Sequence, residues 1–238
     1  MFKNSRSSTI LLAFLLSVDL VLISFHFLHR LTYNGILPPS IFSNTIFSMS
    51  IEAQLPDIFQ FLKQLGIVLL LLYVSRKEHV YRIWAAIFAY LLLDDLFLIH
   101  ESVGFALEAY APQIGSIARS EVAQIGYLFL LSIVMFGIAL LMIWRTRGKV
   151  RLVSIYLTFL LAVAAFFGVF VDLIQSVVMD IFGISGIVKI VEDGGEMIIF
   201  SFILWYVYKL AFETIPIIHF NHIFKFKLVS DFFETTDV

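Results

Sequence analysis

Asp94, Asp95, His100 and Glu101 fall within the run Leu93-Asp94-Asp95-Leu96-Phe97-Leu98-Ile99-His100-Glu101, and Glu192, Asp193 and Glu196 within Glu192-Asp193-Gly194-Gly195-Glu196. Both clusters sit in strongly apolar surroundings. Asp19, Lys63 and Asp172 likewise interrupt apolar runs. Ionisable groups at such positions are costly to bury, which marks them as candidates for a bound cation, a proton relay or a pathway. Carboxylates with at most one or two imidazoles suit manganese, iron, magnesium or calcium, and zinc with Asp, Glu and His is also compatible. The chain has no cysteine, so thiolate nucleophiles, disulfides and sulfur-based metal sites are excluded.

Helical spacing groups these residues. Asp94, Glu101 and Glu108 are seven apart and share a stripe, with Asp95 about a quarter turn away. His100 lies off that stripe in an ideal helix and reaches the same site only if the helix loosens near Gly104. Asp94 and Glu101 are separated by about 10 Å along the axis, so other helices must complete any coordination shell. Glu192, Asp193 and Glu196 project over one sector of their helix. Asp172, Gln175, Ser176 and Met179 share a face. The expected metal ligands are Asp94, Asp95, Glu101, Asp172, Glu192, Asp193 and Glu196. Catalytic roles are expected for His100, as ligand or proton shuttle, for Glu101, and for Lys63 as an electrostatic stabiliser.

The elements that must carry these groups are transmembrane helices. Hydrophobic residues make up 61% of the 238, charged residues 14%, and mean hydropathy is +0.97. That balance is far from a soluble domain. Apolar runs of about 20 residues, the length that spans a bilayer core, predict six spans near 10–28, 57–74, 83–100, 122–144, 152–175 and 193–210. The fold class expected is therefore all-α: a polytopic six-helix membrane bundle forming one domain over 1–238. The first run follows Lys3 and Arg6, but Asp19 interrupts it and no small-x-small cleavage site follows, so it reads as a retained span. A tail over 211–238, with Phe224-Lys225-Phe226-Lys227, reads as a cytoplasmic membrane-surface segment that keeps His219 and His222 away from the site.

Charge distribution orients the bundle. Lys3, Arg6, Arg76, Lys77, Arg82, Arg145, Arg147, Lys149, Arg151, Lys209, Lys225 and Lys227 fall on one side, against Arg30, Arg119 and Lys189 on the other. This bias predicts a multi-pass cell-membrane protein with both termini cytoplasmic. All carboxylates except Glu78, Glu213, Asp231, Glu234 and Asp237 then lie in the outer half or beyond it. A rise of about 1.5 Å per residue places Asp19, Lys63, Asp94 and Glu196 about 18–20 Å above Arg6, Arg76, Arg82 and Lys209, at one common level.

Several of these residues also have plain structural readings. Asp57 after Pro56 begins a helix. Asp19 and Lys63 can form an interhelical ion pair, and His26 and His29 interfacial hydrogen bonds. Glu52, Glu108, Glu121 and Asp180 are expected in outer loops. The outer segments 30–56 and 101–121 are placed to roof an acidic pocket, the second by carrying the third helix on to Pro112.

Burial and mutual repulsion both disfavour a group of ionised carboxylates, so either some are protonated or a cation neutralises them. The leading functional expectation is a metal-dependent membrane hydrolase or transferase acting on a lipid-like substrate, with membrane lipid as its surroundings. The alternatives are a proton- or cation-coupled transporter and a structural subunit of a membrane complex. The absence of three-plus-three internal similarity and the confinement of acidic groups to one half weigh towards the enzyme. No basic surface for nucleic acid is present. The chain also lacks the three-histidine set of alkaline ceramidase-type hydrolases, the CDP-alcohol phosphotransferase pattern, Gly-x-Ser-x-Gly and His-Glu-x-x-His.

Overall fold

A computed structural model of the chain describes residues 5–33, 35–38, 40–49, 54–114, 117–171 and 185–213. They form α1 (Ser5–Tyr33), α2 (Leu55–Val74), α3 (Val80–Phe97), α4 (Ile99–Leu107), α5 (Arg119–Arg145), α6 (Gly148–Ala165) and α7 (Ser185–Phe212). A π-helical stretch, Phe166–Val171, continues α6. No strand occurs among the described residues. α1, α2, α5, α6 and α7 are each long and apolar enough to cross a membrane. α3 and α4 meet the same test as a pair bent by 67°, which makes six if the pair is one span. Residues 172–184, with Asp172, Gln175, Ser176, Met179 and Asp180, lie outside the described residues, as does the tail beyond 213.

The helices are patterned for an apolar exterior and a mixed interior. On α1 the buried residues are Ser8, Leu15, Asp19, Leu22, His26 and His29, spaced by three, four or seven, while Ile10, Phe14, Leu20, Val21 and Phe27 are exposed. The buried stripe is thus more polar than the exposed one, the reverse of a soluble amphipathic helix and the arrangement expected where lipid is the solvent. The main core joins α2, α3, α5, α6 and α7 through residues such as Leu71, Trp84, Ala139, Leu157 and Ile203. α7 is the central element, packed against α1, α2, α6 and the π-helical stretch. Trp84 donates to Ser154 Oγ at 3.3 Å and ties α3 to α6.

Two polar systems fix α1. Near its C-terminus, the Met49 amide donates to His26 Nδ1 at 2.9 Å, and His29 Nδ1 donates to the Phe42 carbonyl at 2.7 Å. The 3-10 turns Ile41–Ser43 and Thr45–Phe47 are held in this way, with Phe25 packed against Phe42 and Phe47. Halfway along the helix, Lys63 Nζ donates to Asp19 Oδ1 at 2.8 Å, to the Met197 carbonyl at 2.7 Å and to Ser201 Oγ at 3.3 Å. Ser201 Oγ in turn donates to Asp19 Oδ2 at 2.5 Å. All three ammonium protons and both carboxylate oxygens are used, the condition under which a buried ion pair is tolerable. This network clamps α1, α2 and α7 together.

Removing one member should expose the cost of the other. Lys63→Met alone leaves Asp19 without its counter-ion and should destabilise the protein by about 3–5 kcal/mol in detergent unfolding. Combining it with Asp19→Leu should recover most of that loss, because Ser201 can return its hydroxyl to the Met197 carbonyl one turn earlier. Equal damage from the single and double variants would show that the pair is not the clamp.

Candidate functional site

The site begins where α3 stops. Leu98, with φ 51° and ψ 44°, is the one non-glycine residue with positive φ among the described residues. A leucine there sacrifices about 1–2 kcal/mol relative to the right-handed helix, so the surrounding structure must hold it. The Leu98 amide still caps α3 by donating to the Asp94 carbonyl, and α4 restarts at Ile99 in a new direction. Two expectations are corrected here. The third helix does not run straight to Pro112, and the loosening is at Leu98, not near Gly104. Gly104 instead allows α4 to approach α5: a Cβ there would lie 2.8 Å from the Ser120 carbonyl oxygen.

The break turns His100 back. Its Nδ1 lies 2.9 Å from Asp94 Oδ2, a contact an ideal helix forbids. The contact holds the imidazole beside both aspartates. Asp95 Oδ2 accepts from Gln64 Nε2 at 2.6 Å. Ligand atoms of Asp94, Asp95 and His100 all fall within 4.8 Å of one another. Asp94 is 3% exposed, and its Oδ1 has no hydrogen-bond partner.

This cluster forms part of the wall of a cavity of about 420 Å³. Asp57, Asp94, Asp95, Glu101, Glu192, Asp193 and Glu196 all line it, brought together from α2, α3, α4 and α7. His100 is the one basic side chain in the described lining. The carboxylates gather at one end of the cavity, with Leu96 and Leu98 among them, and the other end is mainly apolar, with Ser132 its polar member. On α2 and α3, Asp57, Gln60, Asp94 and Asp95 lie away from the short turn joining the two helices, and Phe61 and Leu91 lie nearer to it. α5 and α6 repeat the pattern: Gln124 and Gly168 lie away from their connecting turn, while Leu131, Met135, Phe136 and Leu161 lie towards it. On α7, Glu192, Asp193 and Glu196 precede Phe200 by one to two turns.

Glu196 is seated by the π-helical stretch. A Cβ at Gly168 would fall 1.9 Å from Glu196 Oε1, so the carboxylate occupies space that only a glycine leaves. A Cβ at Gly195 would meet the Phe167 ring at 2.3 Å, a second close approach between the same elements. π-helical insertions in α-helices are frequent at functional sites.

Of the residues expected from sequence, the structure brings Asp94, Asp95, His100, Glu101, Glu192, Asp193 and Glu196 around one cavity. Asp172 lies outside the described residues. Lys63 does not line the cavity but holds the carbonyl of Met197, the neighbour of Glu196. Glu108 falls in the turn Glu108–Tyr110 and is also outside the lining. Asp57 both accepts from the Gln54 amide, beginning α2, and lines the cavity. Of the two outer segments expected to roof the pocket, the first contributes Met49 and the second Glu101. Sequence reasoning passed over Gln60, Gln64, Gln124 and Ser132. The spacing of Asp57, Gln60 and Gln64 by three and four was the available signal for a polar face on α2.

Two substitutions test this architecture. Gly168→Ala should displace Glu196 while the remaining bundle folds, seen as a spectral change confined to probes near α7. Leu98→Gly should retain the bend, whereas Leu98→Ile, a β-branched residue in left-handed geometry, should straighten or unfold it. The absence of native cysteines permits paired spin labels at the start of α3 and the end of α4. Straightening should lengthen their separation, and an unchanged distance in Leu98→Ile would contradict the strain account.

No curated protein and no solved structure matches the chain. A family model described as a domain of unknown function, DUF8692, matches residues 10–211. That match takes in every described helix that walls the cavity, and the chain belongs to the DUF8692 family.

Proposed function

We propose that this protein is a six-span membrane protein, with α3 and α4 forming one bent span and both termini cytoplasmic. Its acidic cavity holds a divalent cation that activates water or another acceptor against an ester, amide or phosphate of a lipid-like substrate. The observation that carries this reading is the convergence of Asp94, Asp95 and His100 donors within 4.8 Å on the wall of a cavity rich in carboxylates. The helix directions support the topology. The turns bearing Arg76, Lys77, Arg145 and Arg147 lie on one side of the bundle, in keeping with a positive-inside orientation, and the cavity's acidic end lies away from them.

In this reading Asp94, Asp95 and His100 hold the cation, with Glu101, Glu192, Asp193 and Glu196 available to complete the shell or accept a proton. A cation held by these residues would supply Lewis acidity, easing the deprotonation of a water and polarising a substrate oxygen. For an acyl substrate, a carboxylate accepts the water proton and hydroxide adds to the carbonyl carbon. The bond to the leaving group breaks, and that group takes the proton from the carboxylate. Water is added across one bond, and no oxidant or reductant is needed. Lys63 acts at a distance, by fixing the α7 backbone next to Glu196 through Met197.

A second reading, cation-coupled transport, draws support from the broken α3–α4 span, since interrupted helices at membrane depth are a recurrent feature of transporters. The two separate experimentally. Purified protein should carry a divalent metal by elemental analysis. Asp94→Asn with Asp95→Asn should weaken its affinity beyond the roughly 10- to 100-fold typical of losing an outer-shell partner. Hydrolysis of lipid-like substrates should be lost in parallel. Wild-type protein that binds no added divalent metal would overturn the proposal, and gradient-driven cation flux in vesicles without hydrolysis would favour transport.

A further inference from the structure

Two histidines strap the segment 40–49 to α1, and they do so with opposite polarity. The Met49 N–H can only donate, so His26 Nδ1, 2.9 Å away, must offer a lone pair. The Phe42 carbonyl can only accept, so His29 Nδ1, at 2.7 Å, must carry a proton. A further proton therefore has opposite consequences on the two rings. On His29 it falls on Nε2 and leaves the bond to Phe42 in place, now charge-assisted. On His26 the neutral ring already bears its proton on Nε2, so the second falls on Nδ1. Two N–H groups then face each other, and the bond to Met49 is lost.

His26 and Met49 are both buried, so two donors turned against each other there are each left unsatisfied and must part. What parts is the end of the strap that meets the cavity. The Met49 side chain packs with Leu22, Phe59 and Met197 and belongs to the cavity wall. The other end has holds that acid does not touch: the His29 bond, and Phe25 packed on Phe42 and Phe47.

The strap has no titratable side chain of its own. On α1 the titratable neighbours of His26 are His29, with ring centroids 6.4 Å apart, and Arg30. α2 and α7 pack against α1, through Phe59 on the Leu22 cluster and Gly194 at Ile23. Among the described side chains they bring Asp57, Glu192 and Asp193 to this end. The carboxylates attract an imidazolium, while Arg30 and a charged His29 repel it. None of them alters which nitrogen of His26 must accept.

We propose that the segment 40–49 is an acid-released lid on the cavity, tethered at Phe42 by His29 and opened at Met49 by protonation of His26. The proposal concerns access to the cavity and stands apart from the chemistry proposed inside it, because neither histidine bond involves a bound cation.

The test is nuclear magnetic resonance on the full chain in lipid nanodiscs, labelled at methionine and histidine and compared at about pH 8 and about pH 5, the range in which histidine ordinarily titrates. The protection of the Met49 amide against hydrogen exchange, taken relative to the unstructured rate at each pH, should fall about tenfold in acid, the worth of one hydrogen bond. The Met49 methyl should become open to a water-soluble paramagnetic agent, and the His29 Nδ1–H signal should persist. His26→Asn places an amide oxygen that does not titrate near the position of Nδ1, and should keep Met49 protected at both pH values. His26→Phe keeps a ring without an acceptor and should leave Met49 unprotected at both. Protection of Met49 that is equal at the two pH values in wild type would overturn the proposal. So would an acid response that survives in His26→Asn, or loss of the His29 bond together with that of His26. The wild-type comparison decides the matter even if both variants fail to fold.

Discussion

A charge inside a bilayer must be neutralised or hydrogen-bonded to completion, and this bundle meets that demand in two opposite ways. At Asp19 and Lys63 the solution is closed. The carboxylate, ammonium, Ser201 hydroxyl and Met197 carbonyl satisfy one another among fully buried side chains. In the cavity beside it the solution is open. Seven carboxyl groups face a space whose described lining offers one imidazole, and Asp94 Oδ1 and the Gln60 amide remain unspent. Protons or a bound cation must make up the difference. The contrast explains why one cluster reads as a clamp and the other as a site.

The backbone irregularities fall where they serve the open cluster. Leu98 in left-handed geometry brings His100 onto Asp94, and the π-helical stretch leaves room at Gly168 for the Glu196 carboxylate. Each departs from an ideal helix and each delivers an ionisable group to the cavity. The closed clamp lies against the same helix: Lys63 grips the carbonyl of Met197, one residue from Glu196. α7 therefore couples the two systems, and its position against α1 and α2 sets where its acidic turn points.

Much of this was legible in the sequence because lipid imposes simple rules. Long apolar runs marked the helices, and the expense of buried charge marked the carboxylates that line the cavity. The break at Leu98 was not legible. Leucine favours helices, and no glycine or proline stands at that point, so local preference indicated a straight span where tertiary packing imposes a bend. The π-helical stretch was hidden for the same reason, within an unbroken apolar run. Gln60 and Gln64 were overlooked because uncharged amides disturb hydropathy little, although their spacing from Asp57 placed them on one face. Lys63 shows the limit of depth as a guide: it shares a level with the acidic groups, but its ammonium is committed to Asp19, Ser201 and the Met197 carbonyl.

The central claim is that the converging carboxylates are held together by a positive guest. Crystals grown with manganese and measured at its absorption edge test it most directly. The account predicts an anomalous peak between Asp94, Asp95 and His100, with ligand atoms at about 2.0–2.6 Å, as for hard divalent cations. A well-ordered cavity with no such peak, its acidic side chains turned apart and each hydrated alone, would contradict it.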